Sequence, residues 1–283
     1  KRQAMDLGAD YVATGHYCQK QENKDGAFSL IAGADPGKDQ SYFLCQLSQA
    51  QLSKALFPIG HLQKAQVRQI ALENGLVTAN KKDSQGLCFV GKIALPTFLQ
   101  QQLEPKVGPV IEIPPQLQIL ETYHKIEPSL ANVELLAQPF TFDQDQGHLV
   151  AKHQGAHYYT IGQRKGLHIG GRPEPSFVIG IDTKKNIVFS GQNEQHPGLN
   201  RWALKLDETS ISWIRTPHEF TINQKLDCMV RIRYRQPLQK ATLIRKEAGF
   251  FILFEHKQKG IAPGQFAAWY DQDELLGSAV IQS

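Results

Sequence analysis

Cysteine is scarce: four residues in 283, at Cys18, Cys45, Cys88 and Cys228, with no C-x-x-C pair among them. That excludes a zinc knuckle and gives no support to a disulfide scaffold, and it points to a reducing, cytosolic setting. Long apolar runs are lacking too. GFFILFE (249–255) falls far short of the roughly 20 residues needed to cross a bilayer, so no membrane partner is expected, and no stretch reads as a signal peptide. Internal repeats and low-complexity tracts are missing. The formal charge of +4 permits a polyanionic partner without demanding one. With 41% hydrophobic and 20% charged residues, the composition is that of a folded chain long enough for two or three domains. The chain opens on Lys1 in what reads as the end of a helix (KRQAMDLGAD), which leads to the expectation of a longer, truncated N-terminal part.

Residues 1–95 read as α/β. Asp10–Thr14 (DYVAT) is a short apolar strand, and the residues just past it, Gly15, His16 and Tyr17, stand where open α/β sheets bind ligands. Phe28–Ala32 reads as a second strand. Ser48 with Gln51 fits a capping box, and Val67, Ile70, Ala71 and Asn74 share a helical face closed by Gly75. Residues 96–200 form a central region, in which the proline-bearing stretch 112–152 is expected to be a surface insertion. SFVIGID (176–182) and NIVFSG (186–191) predict a hairpin turning at Lys184–Lys185. Residues 201–283 read as all-β, in short strands that suit a small barrel. This last region holds 12 Lys and Arg against 9 Asp and Glu, a mild basic surplus.

Five stretches carry polar chemistry. In KKDSQGLCFVG (81–91), Cys88 follows a polar turn whose backbone N–H groups, with Lys81 and Lys82, favour a thiolate, against Asp83 and against the plainer reading of a buried cysteine. GADPGKDQSYFL (33–44) fails the Walker spacing, because three residues separate Gly33 from Gly37 and Asp39 follows Lys38. It is either a solvated turn or a loop in which Lys38 and Gln40 meet phosphate or base edges, with Tyr42 and Phe43 packed beneath. In ATGHY (13–17), Gly15 allows close backbone approach of a nucleotide, and His16 is either a satisfied strand-end residue or a group near the chemistry. In VRIRYRQ (230–236), alternation predicts Arg231, Arg233 and Arg235 on one strand face, either solvated or a phosphate strip, and Tyr234 on the other. YYTIGQRKGLHIGGR (158–172) is a basic, aromatic loop suited to RNA, or simply a hinge.

Taken in order, ATGHY, GKDQSYFL, KKDSQGLCFVG, YYTIGQRKGL, RIRYRQ and APGQ resemble the tRNA-specific 2-thiouridylases of the MnmA type, over nearly the whole chain. The resemblance implies a partial adenine-nucleotide α-hydrolase-like (PP-loop) domain at 1–95, a central small β domain at 96–200 and a C-terminal β-barrel at 201–283. It implies thiolation of the wobble uridine in the anticodon stem-loop of tRNA, by ATP-dependent adenylation of uracil O2 and sulfur transfer from a persulfide on Cys88. ATP is expected with Mg2+ but without a protein metal site, and a sulfur-relay protein or cysteine desulfurase is expected as donor. Gly15 matches an ATP-contacting glycine. His16, Lys38, Asp39, Gln40, Arg233, Tyr234 and Gln265 match tRNA-contacting positions. A disulfide bond also belongs to what the family implies. The family's S-G-G-x-D-S loop and its first catalytic cysteine, in an N-P-C-x-x-C-N-like segment, do not occur in these residues, so the fragment alone is expected to be inactive. Two rivals are a non-catalytic RNA-binding β protein and a related ATP-dependent ligase acting on a small molecule.

Overall fold

A computed structural model describes residues 8–81, 98–99, 101–215 and 220–283. Cys88 and its loop lie outside these residues. The chain forms two units: residues 1–82, 206–255 and 264–282 make one, and residues 83–205, 256–263 and 283 make the other.

The first unit is built on an antiparallel sheet. Its strand order is Cys18–Glu22, Phe28–Ala32, Glu274–Val280, Phe266–Asp271, Lys225–Arg231, Gln239–Lys246 and Gly249–Lys259, whose first seven residues belong to this unit. Ser212–Trp213 pairs with Glu274–Val280 at one side. Phe28–Ala32 is a strand as predicted, but its partners differ from those of an α/β sheet. Asn23–Gly26 makes a tight turn, with Gly26 at φ +78°, that folds Cys18–Glu22 back onto it, and its other edge takes Glu274 and Leu275 from the far end of the chain. The core therefore mixes both ends of the sequence: Cys18, Leu30, Cys45 and Leu52 pack with Ile214, Ala268, Tyr270 and Leu275. Full burial of each such leucine stabilises the fold by about 1.5–3 kcal/mol.

The DYVAT strand reduces to Val12–Ala13, parallel to Ala55–Leu56, and it ends where Thr14 N–H donates to Leu56 O at 3.0 Å. Ser48 and Gln51 close the expected capping box on helix Gln49–Leu52. Helix Lys64–Glu73 follows, and Gly75 beyond it takes φ +65°, as a C-terminal glycine should. No helix among the described residues is long and apolar enough to cross a membrane.

The second unit holds a four-stranded sheet in the order His148–His153, Gly108–Glu112, Ile187–Gln192, Ser176–Asp182, parallel only between the middle two. The 176–191 hairpin is as predicted. The surface insertion is not. Ile113, Leu120, Tyr123, Val133, Leu136 and Phe142 are all buried, and Ile113, Leu120 and Phe142 pack directly on Phe177, Ile179 and Phe189. Prolines in this stretch mark the ends of short helices, Gln118–His124 and Val133–Leu136, rather than an excursion into solvent.

His196 shows how this core constrains charge. It is buried, and its Nδ1 accepts from Gly198 N–H at 3.1 Å, so its other nitrogen donates to Ile113 O at 3.1 Å and the ring is neutral. Burial lowers its pKa below the ordinary 6.5, and the same cause lowers His124 and His153. As pH falls through 6.5 the unfolded chain takes up these protons first, so stability is full above that pH and declines below it. Urea unfolding at pH 7.5 and 5.5 should show this loss. His196→Asn should be less stable at pH 7.5 but should lose less on acidification, and parallel curves for the two proteins would remove His196 from the effect.

Candidate nucleic-acid interface

The loop 33–44 is a fastened structure rather than a solvated turn. Gly33 lies so close to residue 17 that an added Cβ would stand 2.5 Å from Tyr17 O, which only glycine tolerates. Asp35 accepts from the backbone N–H groups of Gly37 and Lys64, both at 3.0 Å, and its own carbonyl accepts from Lys38 N–H at 2.9 Å. Asp39 is 5% exposed. Its Oδ1 accepts from Gly33 and Ser41 N–H, and its Oδ2 accepts from Ser41 Oγ at 3.1 Å and from Arg231 Nη1 at 2.8 Å. Both oxygens are thus taken by protein groups, and Asp39 stands as a support rather than as a solvent-facing contact. Gln40 clamps residue 17 from both sides: its Oε1 accepts from Tyr17 N–H at 3.0 Å, and its own N–H donates to Tyr17 O at 2.9 Å. The amide nitrogen of Gln40 is the polar group it has left for a ligand.

Ser41–Leu44 is a single 3-10 turn. Successive side chains on such a turn diverge by about 120°, so Tyr42 and Phe43 cannot both lie beneath the loop. Tyr42 points inward. Its hydroxyl donates to Phe266 O at 2.9 Å with Ile232 O 3.3 Å away, and burial pushes its pKa up to about 12. Phe43 points outward, 55% exposed, and stacks on Tyr234 with ring centroids 4.2 Å apart.

The three-arginine strip does not form. The strand stops at Arg231 because Gln236 folds back, its Oε1 accepting from Ile232 N–H at 2.9 Å, and Gln236 N–H donates to Arg233 O. Arg231 turns into the protein onto Asp39, with the two side chains only 11% and 4% exposed. Arg233 is half-buried beside Tyr42, and burial lowers its pKa somewhat. Arg235 sits exposed at φ +67° with its guanidinium 5.3 Å from the Tyr234 ring centre. Because residues 232–235 form a turn, Arg233 and Tyr234 are not confined to opposite faces of a strand.

Gln265 precedes Phe266, the residue whose carbonyl receives the Tyr42 hydroxyl, and Gln265 O accepts from Ile281 N–H at 2.7 Å. Gly15 is exposed at the end of the short parallel pair, and a Cβ there would meet only Ile59 Cδ1, at 3.9 Å. The backbone there is open to close approach by a nucleotide, which fits one edge of an ATP site. His16 follows, its Nδ1 2.6 Å from Thr14 Oγ1, and burial lowers its pKa. Among the described residues no group of three or more His, Cys, Asp or Glu could hold a metal ion. Cys18, Cys45 and Cys228 are free, so the disulfide that the resemblance implies is not formed among them. Burial pushes all three thiols up, Cys228 to about 12, which leaves them poor thiolates. Four sequence segments thus meet around Gln40 and Tyr42: 14–17, 38–43, 231–236 and 265–266. Sequence reasoning missed Arg231, Phe43 and Arg235 in these positions, and the Gln236–Pro237 pair was the available sign that the strand ends early.

The same chain resembles known proteins over nearly its whole length. A relative named tRNA-specific 2-thiouridylase MnmA from Christiangramia forsetii is 51% identical over 282 residues, 98% of this chain and 71% of the relative. One from Flavobacterium johnsoniae matches to the same extent, and one from Karelsulcia muelleri is 42% identical over 97% of this chain and 70% of its own. The chain belongs to the MnmA family of tRNA-specific 2-thiouridylases. Residues 1–92 match the family described as tRNA methyl transferase HUP domain, 140–192 the tRNA methyl transferase PRC-barrel domain and 204–281 the aminomethyltransferase beta-barrel domain. A HUP domain is thus followed by a PRC-barrel and a C-terminal barrel, the order expected from the sequence. The expectation of a truncated N-terminus gains no support from these matches.

Removing the Asp39 carboxylate leaves Arg231 as a buried, uncompensated charge, which costs about 3–5 kcal/mol. Urea denaturation of Asp39→Ala should show a loss of that order, and Arg231→Met in the same chain should restore part of it. Additive losses in the double variant would show that the two side chains are not coupled.

Proposed function

We propose that this chain takes part in forming 2-thiouridine at the wobble position of tRNA, and that the surface joining His16, Lys38, Gln40, Arg233, Tyr234 and Gln265 meets the anticodon stem-loop. The observation that carries the reading is the convergence of these residues from four distant segments, in a chain whose family relatives bear a thiouridylase name. Arg and Tyr side with RNA, because guanidinium pairs with phosphate and an aromatic ring stacks on an unpaired base. Asp39 acts through Arg231 and the loop. We divide the chain functionally at 1–95, 96–200 and 201–283, with the first part catalytic and the last part holding tRNA.

ATP, with its Mg2+, would supply the activation: uracil O2 would take the adenylyl group as pyrophosphate leaves, so that O2 can later depart within AMP, and Gly15 would give the nucleotide an open backbone edge. Cys88 carries the outer sulfur of a persulfide, received from a sulfur-relay protein or cysteine desulfurase. That sulfur attacks C2 of the base, and the S–S bond breaks as a second thiol or reductant takes the Cys88 sulfur. An anticodon loop suits this, because an unpaired base leaves its stack at least cost. A cytoplasmic setting fits both the tRNA and the three free thiols among the described residues.

Two experiments test the reading. Cys88→Ser in the complete enzyme should abolish thiolation of a tRNA transcript while leaving binding within about twofold; retained thiolation rules out the sulfur-carrier role. Arg233→Ala should weaken tRNA binding and reduce the log–log salt slope by about one. An unchanged slope takes Arg233 out of the interface.

A further inference from the structure

Phe43 is placed where a buried-core account does not explain it. Its ring is 55% exposed, on a turn whose neighbours Ser41 and Tyr42 both point into the protein. The protein backs it with a second aromatic from 191 positions away in the sequence, Tyr234, at 4.2 Å and an interplanar angle of 37°. Behind Tyr234 stands Arg235, exposed, with its guanidinium 5.3 Å from the ring. Arg235 reaches that place by adopting φ +67°, a backbone state that a non-glycine residue holds only when its surroundings enforce it. The enforcement is visible: Gln236 closes the turn through Ile232, and Tyr42 fastens the facing loop to Phe266. An outward ring on a fixed base, bordered by positive charge, is the arrangement that receives a flat, anionic-backboned partner.

We propose that Phe43, backed by Tyr234 and flanked by Arg235, is a stacking platform for one unpaired nucleobase of the bound tRNA. This rests on the tRNA reading above and extends it to two residues, Phe43 and Arg235, that the family motifs do not assign. The exposed face of Phe43 takes the base, and Arg235 meets the phosphate beside it. Stacking reads a π-face rather than base edges, so the platform gives affinity and register without base identity.

The test uses the purified protein and unmodified tRNA transcripts with a wobble uridine, carrying 2-aminopurine at single unpaired positions of the anticodon loop. Wild type should quench the probe at one position. Phe43→Leu keeps an apolar side chain but loses the π-face. It should melt at the wild-type temperature, lose that quench and bind about tenfold or more weakly, whereas Phe43→Trp should keep both. Arg235→Ala should lower affinity and the salt slope while keeping the quench. If wild type binds tRNA and Phe43→Leu binds within twofold of it with the quench unchanged, the platform is overturned and the tRNA reading stands. If wild type itself does not bind tRNA, the tRNA reading falls and the platform with it.

Discussion

The geometry of the candidate interface depends on one buried ion pair. Asp39 and Arg231 are 192 positions apart in the sequence and meet at 2.8 Å with both side chains nearly closed off from solvent. Two charges taken out of water are not a cheap source of stability, since desolvation offsets most of their attraction. What the pair does supply is register. Asp39 also holds Gly33 and Ser41, and Ser41 Oγ lies 3.2 Å from the buried Tyr270 hydroxyl, so the carboxylate fixes where the 33–44 loop sits against the Phe266–Asp271 strand. Once that is fixed, Tyr42 reaches Phe266, Gln40 reaches Tyr17, and the outward residues have settled positions. The polar groups proposed to face RNA are few because most of the charged and amide groups in these motifs are spent on holding one another.

The interleaving of the two chain ends has a consequence for how the first unit is understood. The family matches place a HUP domain at 1–92 and a barrel at 204–281. Cys18–Glu22 and Phe28–Ala32, from the HUP match, are nevertheless strands of the same sheet as the barrel segments, and Leu30 and Leu52 share a core with Tyr270 and Leu275. The open strand end at Gly15 and the arginine turn at 232–235 therefore belong to one packed body. Residues 12–17 are held to the 33–40 loop by backbone and amide bonds, not by a flexible linker.

Local signals were legible in the sequence wherever the cause was local. The Ser48 capping box, Gly75 beyond its helix, the strand at Phe28–Ala32 and the 176–191 hairpin each follow from a few adjacent residues. Partners across long separations were not legible. Alternation along VRIRYRQ assumes that the strand continues, but the Gln236 side chain and Pro237 end it, and with the end of the strand the rule that separates Arg233 from Tyr234 lapses. The prolines of the 112–152 stretch advertise loops, while the apolar residues that bury it are scattered over two short helices and the segments beside them. Phe43 was expected beneath its loop because a run such as SYFL carries no mark of which aromatic turns outward; the 3-10 turn decides that.

The sulfur atoms divide along the same physical line. Cys18 and Cys45 sit in the first unit's core, and burial raises each thiol away from the thiolate form. Cys228 lies on a strand of the same sheet and is raised likewise. A thiol that must carry sulfur at neutral pH needs the opposite surroundings: backbone donors, nearby cations and access to solvent. The fourth cysteine, Cys88, lies outside the described residues; in the sequence it follows a polar run of Lys, Asp, Ser, Gln and Gly. Burial thus leaves the three described thiols ill-suited to carrying sulfur, so none of them competes with the cysteine to which the motif order points.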